Sequence, residues 1–384
     1  MTTRYTRRRF MATSAASMAA LSLPAVLRAQ TAAPQHQLRA ASRVLDIGGR
    51  AANVFGLENA RGGQGLILDP GERFSVRLEN ALDIETMIHW HGQIPPNDQD
   101  GVPDAPMPAL RPGEARDFDF APLAGTHWMH SHMPVQEMQL LAAPLIVRSD
   151  EDLAEDRQEV VLILQDFSFT SPDELMANID HGPGHGAMDH GAMGGGMMSR
   201  MMGGDHGGMA GMNGMEMDLN DIDFDAYLAN DRTLSDPEIV RVERGGRVKL
   251  RIINAASATV FWIDTGGIEG RLVAVDGHAV EPLSGRRFGF AMGQRLDIEL
   301  DLPAEEGAWP ILALREGERE RTGIILATPS AQVSHVAELG DEAAPAFDYD
   351  LAQEASLQAA DAMPQRAKAH SEMVMLGGTM SPYR

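Results

Sequence analysis

The sequence predicts an all-β protein made of two tandem β-sandwiches or barrels, interrupted by an insertion rich in Met, Gly and His. Three observations lead to this prediction. Short segments alternate polar and apolar residues, as in 73–78 and 115–120, which is typical of half-buried strands. Turn segments containing Pro and Gly separate them. A second set of strand-like segments begins near residue 236, after the insertion.

The first 29 residues have the pattern of an export signal. A twin-arginine pattern at 6–11 precedes a mildly apolar run at 11–27, which is too short and too weak for a stable membrane span. We therefore expect residues 1–29 to be a twin-arginine signal peptide. The twin-arginine translocase would be its partner during export, the periplasm its destination, and no stable membrane anchor is expected. A basic N-terminus without a targeting role is the alternative.

The composition is that of an acidic chain without cysteine. Lys and Arg number 32 and Asp and Glu number 55, which gives a net charge of −23 over 384 residues. This length predicts two or three domains. The acidic charge disfavours nucleic acid as a partner and attracts cations. The absence of cysteine excludes disulfides, zinc–thiolate sites and a type 1 blue copper site from this sequence, because the last requires a Cys thiolate.

Residues 40–150 are predicted to form the first β domain, and they contain two His-x-His pairs: His89 with His91, and His130 with His132. Residues i and i+2 of a strand point to the same face, about 6.6 Å apart. Two such strands side by side would offer four imidazole nitrogens to a cluster of copper or zinc ions, and copper heads the divalent affinity order. Ordinary buried or surface histidines are the alternative interpretation.

The segments around these pairs resemble those of the multicopper oxidases, the family of laccases, ascorbate oxidase and bacterial copper-tolerance oxidases. The resemblance extends over residues 40–330 and is specific in the first domain. It implies a cupredoxin-like Greek-key fold for the tandem domains. The segments that carry it are His-Trp-His-Gly at 89–92, Asp-Gly-Val-Pro at 100–103, Arg-Pro-Gly-Glu at 111–114 and Gly-Thr-His-Trp-Met-His-Ser-His at 125–132.

The resemblance implies copper as the cofactor and gives each paired histidine a role. His89 would bind the type 2 copper, His91 and His130 one type 3 copper, and His132 the other. These are type 2 and type 3 half-sites, since the type 1 site is absent from the chain. His127 lies outside the family pattern and is expected to be structural. No side chain is assigned as catalytic, because the redox chemistry belongs to the metals.

Residues 181–217 are a low-complexity insertion rich in Gly, Met and His. So much glycine leaves too little side chain for a stable core, and a disordered segment is expected. Thioethers select Cu(I) and imidazoles also accept Cu(II), so we predict copper capture; an insertion without a role is the alternative. Some bacterial copper-tolerance oxidases carry similar insertions. The candidate ligands are Met188, Met193, Met197, Met198, Met201, Met202, Met209, Met212, Met215, His185 and His190.

Residues 158–330 are predicted to form a second β domain, which resembles the middle domain of a three-domain multicopper oxidase. Such a domain binds no catalytic copper, and His278 is expected to be a turn residue. The run 158–166 is apolar in its middle and rich in β-branched residues. This favours a buried strand, although a short buried helix has a similar pattern. Further strands are expected at 238–242, 247–254, 260–264, 272–278 and 294–300.

Residues 331–369 are predicted to be a linker with a short helix near 351–360, and residues 370–384 to be the start of a third cupredoxin domain. In the family that domain supplies four more histidines and the type 1 copper site. None of these ligands is present in the sequence. We therefore expect a C-terminally truncated multicopper oxidase that does not turn over by itself.

The resemblance implies one-electron oxidation of a substrate coupled to four-electron reduction of O2 to water, in the service of copper tolerance. The partners would be O2 and a small reductant or Cu(I). The Met-rich insertion favours Cu(I), and a phenol-like substrate is the alternative. Two other classes compete: a periplasmic copper-binding or buffering protein without oxidase activity, and a copper-free structural relative. The presence of both His pairs disfavours the last.

Overall fold

The computed structural model describes residues 34–133, 135–181, 222–347, 350–361 and residue 373. Within these ranges the secondary structure is mostly β-strand, arranged in four sheets that form two sandwiches. The all-β fold class is therefore confirmed. The described residues from Gln35 onward belong to one compact unit.

The first sandwich contains eight strands: β1 His36–Ile47, β2 Arg50–Asn59, β3 Leu66–Leu68, β4 Phe74–Asn80, β5 Ile88–His91, β6 Ala115–Phe120, β7 Gly125–Ser131 and β8 Ala142–Val147. One sheet has the order β2-β1-β4-β6 and the other the order β3-β8-β7-β5. The pairs β1–β4 and β3–β8 are parallel, and the other pairs are antiparallel. β5, which carries the first His-x-His pair, therefore lies at the edge of its sheet.

Alternating apolar side chains form the core between these two sheets. Phe74, Val76 and Leu78 of β4 are fully buried, while the residues between them are partly or fully exposed. This is the period-two pattern of a strand with one buried face. Trp90 of β5 is also fully buried, with its ring 4.7 Å from that of Phe74. Trp90 thus packs in the core, and its two histidine neighbours must point to the opposite face.

The second sandwich contains eleven strands: β9 Gln158–Phe167, β10 Ala226–Ala229, β11 Ile239–Arg241, β12 Arg247–Asn254, β13 Phe261–Asp264, β14 Gly270–Val275, β15 His278–Gly285, β16 Arg287–Phe290, β17 Arg295–Asp301, β18 Ala308–Arg315 and β19 Arg321–Ala327. The sheet orders are β10-β9-β12-β17-β14-β15 and β11-β19-β18-β13-β16. β9 is mostly buried and lies between two strands, so the run at 158–166 is a strand and not a helix.

Among the described residues, three short α-helices accompany the strands: α1 Asp150–Ala154, α2 Pro172–His181 and α3 Ala352–Ser356. α1 begins with a reciprocal cap in which the Ser149 hydroxyl accepts from the Asp152 N–H and the Asp152 carboxylate accepts from the Ser149 N–H. No helix among the described residues is both long and apolar enough to cross a membrane.

Three sequence predictions lie wholly or mainly outside the described residues. These are the signal peptide at 1–29, the Met-rich insertion beyond His181, and the segment 370–384 except residue 373. They stay predictions. The domain boundaries proposed from the sequence likewise stay predictions; β1 begins at His36, four residues before the proposed start of the first domain.

The described part of the predicted linker packs along the second sandwich. The ring of Phe347 lies 4.4 Å from that of Trp262, whose indole N–H donates to the Pro345 carbonyl. The Gln353 side chain exchanges two hydrogen bonds with the backbone of Gly289, at 2.8 and 2.9 Å. The predicted short helix is present as α3. These contacts fix the path of the chain over this face of the sandwich.

A buried ionic network joins the two sandwiches. Arg251 of β12 is 1% exposed, and its Nη1 donates at 3.1 Å both to Thr126 of β7 and to Asp297 of β17. Its Nε donates to Glu159 at 2.8 Å. Its Nη2 lies 2.8 Å from a carboxylate oxygen of Asp152 and 2.7 Å from one of Glu159. These two contacts are ion pairs whose angles do not meet those of a hydrogen bond. One guanidinium thus connects three carboxylates to the strand that carries His130.

Apolar contacts reinforce this interface at two places. Trp128 and Ala142 of the first sandwich pack with Ile163, Ile253 and Ala255 of the second. Near the turn between β1 and β2, a separate cluster contains Ile47, Ala52, Val54, Leu140, Phe167 and Leu228. Because both clusters draw residues from both sandwiches, the position of β7 depends on the second sandwich as well as on its own sheet.

The network predicts the effect of the substitution Arg251→Met. Methionine keeps much of the volume but leaves Asp152, Glu159 and Asp297 without their shared cation. Removing one partner of a buried ionic group costs about 3–5 kcal/mol. We expect a loss of that size in the free energy of unfolding, measured by urea titration with tryptophan fluorescence.

Arg271→Met is the matched control. Arg271 pairs with Glu299 and Asp301 at a partly exposed position of the same sandwich, where an ion pair contributes at most about 1 kcal/mol. Equal losses in the two variants would show that the interface network has no special role in stability.

Candidate metal centre

The two His-x-His pairs lie on neighbouring antiparallel strands. In the register of β5 with β7, His89 faces His130 directly and His91 faces Trp128. His132 follows the last residue of β7, and its N–H donates to the Met87 carbonyl at 3.2 Å. Since alternate residues share one face of a sheet, this register brings all four imidazoles to the same face.

The four rings form a tight cluster. Ring centroids are 4.7 Å apart for His89–His132, 5.0 Å for His130–His132, 5.4 Å for His91–His130, 5.7 Å for His89–His130 and 5.8 Å for His89–His91. The Nδ1 of His91 lies 3.3 Å from the Nε2 of His130. Two nitrogens bound about 2.0 Å from one ion at a tetrahedral angle are separated by about the same distance.

The loop after β5 orients His89. Its Nδ1 donates to the Asp100 carbonyl at 2.8 Å, and the Asp100 carboxylate lies 3.5 Å away. This leaves Nε2 free, as in metal-bound histidines, whose second ring nitrogen donates to a carbonyl or carboxylate. The close approach requires glycine at 101: its φ is +78°, and a Cβ there would lie 1.8 Å from the Ile88 carbonyl oxygen.

His130 is held by an aromatic stack and by the turn that follows β7. The ring of Trp128 stacks on that of His130 at 4.1 Å and 12°. The Glu137 carboxylate lies 3.5 Å from His130 Nδ1, close enough for charge interaction but not aligned as a hydrogen bond.

A buried amide fixes the same turn. Gln136 accepts from the hydroxyls of Thr86 and Ser131, each at 2.7 Å, and donates to the Glu85 carbonyl at 2.7 Å. The turn is therefore held between the residues that precede β5 and the end of β7. This fixes the chain on which His132 stands.

The surroundings of His89, His91 and His132 favour the neutral form of their imidazoles. Burial, together with the nearby Arg295 cation, lowers the pKa of His91 to about 3. Burial likewise lowers the pKa of His89 and of His132, and the neighbouring His130 adds to both effects. A metal ion binds neutral imidazole, so near neutral pH these side chains are in the form that binds a metal.

The four clustered imidazoles are side chains of the kind that copper binds. The closest pair of ring nitrogens, in His91 and His130, could share one ion. Imidazole suits copper, zinc and iron, and copper binds most tightly in the divalent series. Within the described ranges, no three His, Cys, Asp or Glu side chains are arranged to hold one metal ion. In the described part of the chain, the histidine cluster by itself therefore does not offer three such side chains to one ion.

The second sandwich packs directly behind His91. Gly92 has a φ of +89°, and a Cβ there would lie 2.4 Å from His127 Nδ1 and 2.7 Å from Arg295 Nη2. His127 is 1% exposed, and its Nε2 lies 3.3 Å from the Ala124 carbonyl oxygen. His127 thus packs against Gly92, and no ring contact joins it to the four clustered histidines among the described residues.

The remaining residues with predicted roles are His278 and the candidate Cu(I) ligands of the insertion. His278 is the exposed first residue of β15, directly after the turn at Asp276 and Gly277, so it begins a strand. The candidate Cu(I) ligands at 185–215 lie outside the described residues.

Sequence reasoning missed the supporting groups of Glu137, Gln136 and Arg295; no local pattern marks them. Asp100 stood in a recognised motif, but its contact with His89 was not foreseen.

Several known proteins match this chain in sequence. A multicopper oxidase family model matches residues 40–152, and a second multicopper oxidase model matches residues 159–331. The multicopper oxidase MmcO of Mycobacterium tuberculosis is 27% identical over 85% of the chain, and copper resistance protein A of Escherichia coli is 28% identical over 73%. The chain spans 66% and 48% of the lengths of these two relatives.

Solved structures show the same fold. Fet3p, a multicopper oxidase that functions in iron import, superposes with a TM-score of 0.64 at 14% identity, covering 86% of this chain and 58% of its own. The blue copper oxidase of Nitrosomonas europaea gives a TM-score of 0.55 at 23% identity, with coverage of 76% and 84%.

The buried histidines predict how stability depends on pH. Burial lowers the pKa of His127 to about 4, whereas in the unfolded chain it lies near 6.5. The contribution of the neutral His127 side chain to the free energy of unfolding is therefore complete above about pH 6.5. It is lost as the pH falls toward 4. Between about pH 7 and about pH 4.5, the free energy of unfolding of the metal-free protein should therefore fall. In the variant His127→Phe this fall should be smaller by roughly 2–3 kcal/mol. The measurement is urea unfolding across this pH range.

His335→Phe, at an exposed position, should leave the pH dependence unchanged. The same pH slope in His127→Phe and the unsubstituted protein would mean that His127 is not held neutral in the folded state.

Proposed function

Because the chain belongs to the multicopper oxidase family, we propose that its clustered histidines bind copper as part of a copper-dependent oxidase. Proteins of this family bind copper and are oxidoreductases. The observation that carries the proposal for this chain is the convergence of four imidazoles, with ring centroids 4.7–5.8 Å apart, on one face of the β5–β7 pair. No other group of histidines among the described residues comes together in this way.

The proposed assignment gives His89 to a type 2 copper, His91 and His130 to one type 3 copper, and His132 to the other. The 3.3 Å distance from His91 Nδ1 to His130 Nε2 supports a shared ion for that pair. The contact of His89 Nδ1 with the Asp100 carbonyl supports binding through Nε2. The remaining ligands would come from another domain.

A copper cluster of this kind supplies four-electron reduction of O2 to water, coupled to one-electron oxidation of a substrate. The contribution of this chain is to bind and orient. Trp128 fixes the plane of the His130 ring, and the Asp100 loop fixes that of His89. The low pKa of His91 keeps protons from competing for its nitrogen.

We further propose that the substrate is Cu(I) and that the role is copper tolerance in the periplasm, after twin-arginine export. The net charge of −23 and the Met-rich composition of 181–217 support a cationic, soft substrate. The relatives named copper resistance protein A support the same role. A phenol-like reductant is the competing substrate.

The absence of cysteine favours a second candidate function, a copper-binding or buffering protein without oxidase activity. Stoichiometric copper binding that depends on residues 181–217, with no oxygen consumption when Cu(I) is supplied, would support this candidate. Oxygen consumption by the protein with its natural partners would exclude it.

The assignment predicts the outcome of the double substitution His89→Ala and His132→Ala. It removes one proposed ligand from each of two half-sites, so copper bound at the first sandwich should fall by more than half. The measurement is copper content after equilibrium dialysis in a background that lacks residues 182–217, which excludes the insertion as a source of binding.

The control is His278→Ala with His335→Ala, two exposed histidines outside the cluster. This pair should leave copper content unchanged. If the His89 and His132 variant keeps its full copper content, the assignment is wrong.

A further inference from the structure

Arg295 of β17 uses its guanidinium to fasten three backbone segments behind the histidine cluster. Its Nη1 donates to the Gly293 carbonyl at 2.8 Å, its Nη2 to the Asp276 carbonyl at 3.2 Å, and its Nε to the Thr126 carbonyl at 3.3 Å. Asp276 also contributes its carboxylate, 3.2 Å from Nη1. The residue is 4% exposed, so these contacts replace water for most of its donors.

One of the three segments that Arg295 fastens, the turn that contains Gly293, lies beside His91. A Cβ at Gly293 would lie 3.4 Å from His91 Cε1, so the backbone of the turn at 291–294 lies beside that imidazole. A Cβ at Gly92 would lie 2.7 Å from Arg295 Nη2, so the guanidinium lies against the residue after His91. The His91 ring is thus enclosed by a turn of the second sandwich and by Trp128, at 5.0 Å.

We propose that Arg295 is a positioning residue for His91, because it holds the turn at 291–294 of the second sandwich against the imidazole of the first. Arg295 would not contact the metal ion. It would act through its hydrogen bond to Gly293 and its packing against Gly92. The effect of Arg295 on copper binding rests on the proposed function, whereas its effect on the His91 ring does not. The orientation of the His91 ring is a property of the metal-free protein.

The charge of Arg295 alone would have the opposite effect from positioning. A fixed cation near His91 disfavours a second cation at the same site. If Arg295 acted only through its charge, neutral substitution would strengthen copper binding. If it acts by positioning, neutral substitution weakens copper binding, because a displaced ligand loses its geometry. The two cases differ in sign.

Two substitutions separate the charge from the shape of the group. Arg295→Met removes the charge and all donors at similar length. Arg295→Lys keeps the charge, but its single ammonium cannot reach three carbonyls in the arrangement of the planar guanidinium. Positioning predicts that both variants disturb His91. Arg271→Met, at the partly exposed ion pair on β14, is the matched control.

The first measurement follows the ring nitrogens of His91 by NMR in the metal-free full-length chain with 15N-labelled histidine. We expect the His91 signals to shift in both Arg295 variants, while those of His36 at the start of β1 and of the exposed His335 stay in place and report an intact fold. Unchanged His91 signals in a folded Arg295 variant would overturn the proposal. If Arg295→Met does not fold, the test rests on Arg295→Lys: shifted His91 signals would support the proposal, and unchanged His91 signals would overturn it.

The second measurement is Cu(II) affinity by competition with a chelator, with histidine coordination followed by electron paramagnetic resonance. Loss of a supporting contact typically weakens metal binding about 10–100-fold, and we expect a loss in this range for both Arg295 variants and none for Arg271→Met. Tighter binding in Arg295→Met with normal binding in Arg295→Lys would overturn positioning in favour of charge.

The variant His91→Ala separates failure of this proposal from failure of the proposed function. Unchanged copper binding in His91→Ala would refute His91 as a ligand. The NMR measurement on metal-free protein would still decide whether Arg295 positions its ring.

Discussion

The antiparallel pairing of β5 with β7 is the constraint on which the candidate metal centre depends. It places His89 opposite His130, and the two-residue repeat of a strand brings His91 and His132 to the same face. A shift of one residue in this register would turn one histidine pair into the core and Trp90 out of it. The full burial of Trp90 therefore stabilises the register that assembles the cluster.

The register is supported from outside its own sheet. Arg251 connects β7 to the second sandwich through Thr126, and Arg295 holds a second point of the same strand through the Thr126 carbonyl. A strand fastened by both its side chain and its backbone has little freedom to shift. The described residues of the second sandwich thereby hold in place the strand of the first sandwich that carries His130.

The sequence alone predicted the features that local patterns encode. Strands at 115–120 and 247–254 have the bounds expected from their alternation, and the two His-x-His pairs identified the cluster. Long-range partners could not be predicted in this way. Arg295 reads as one charged residue in a strand, and its role follows only from the packing of one sandwich on the other. The contact of Asp100 with His89 likewise depends on how a loop folds back, which spacing does not reveal.

The loop that orients His89 has a further consequence for the behaviour of the protein in solution. β5 ends its sheet, and an open edge strand is a template for pairing with a strand of another molecule. The backbone of Gly101 lies so close to the Ile88 carbonyl that no foreign strand can occupy this position. Changes that loosen the loop would therefore expose the edge of β5 to other strands and would also misorient the His89 ring.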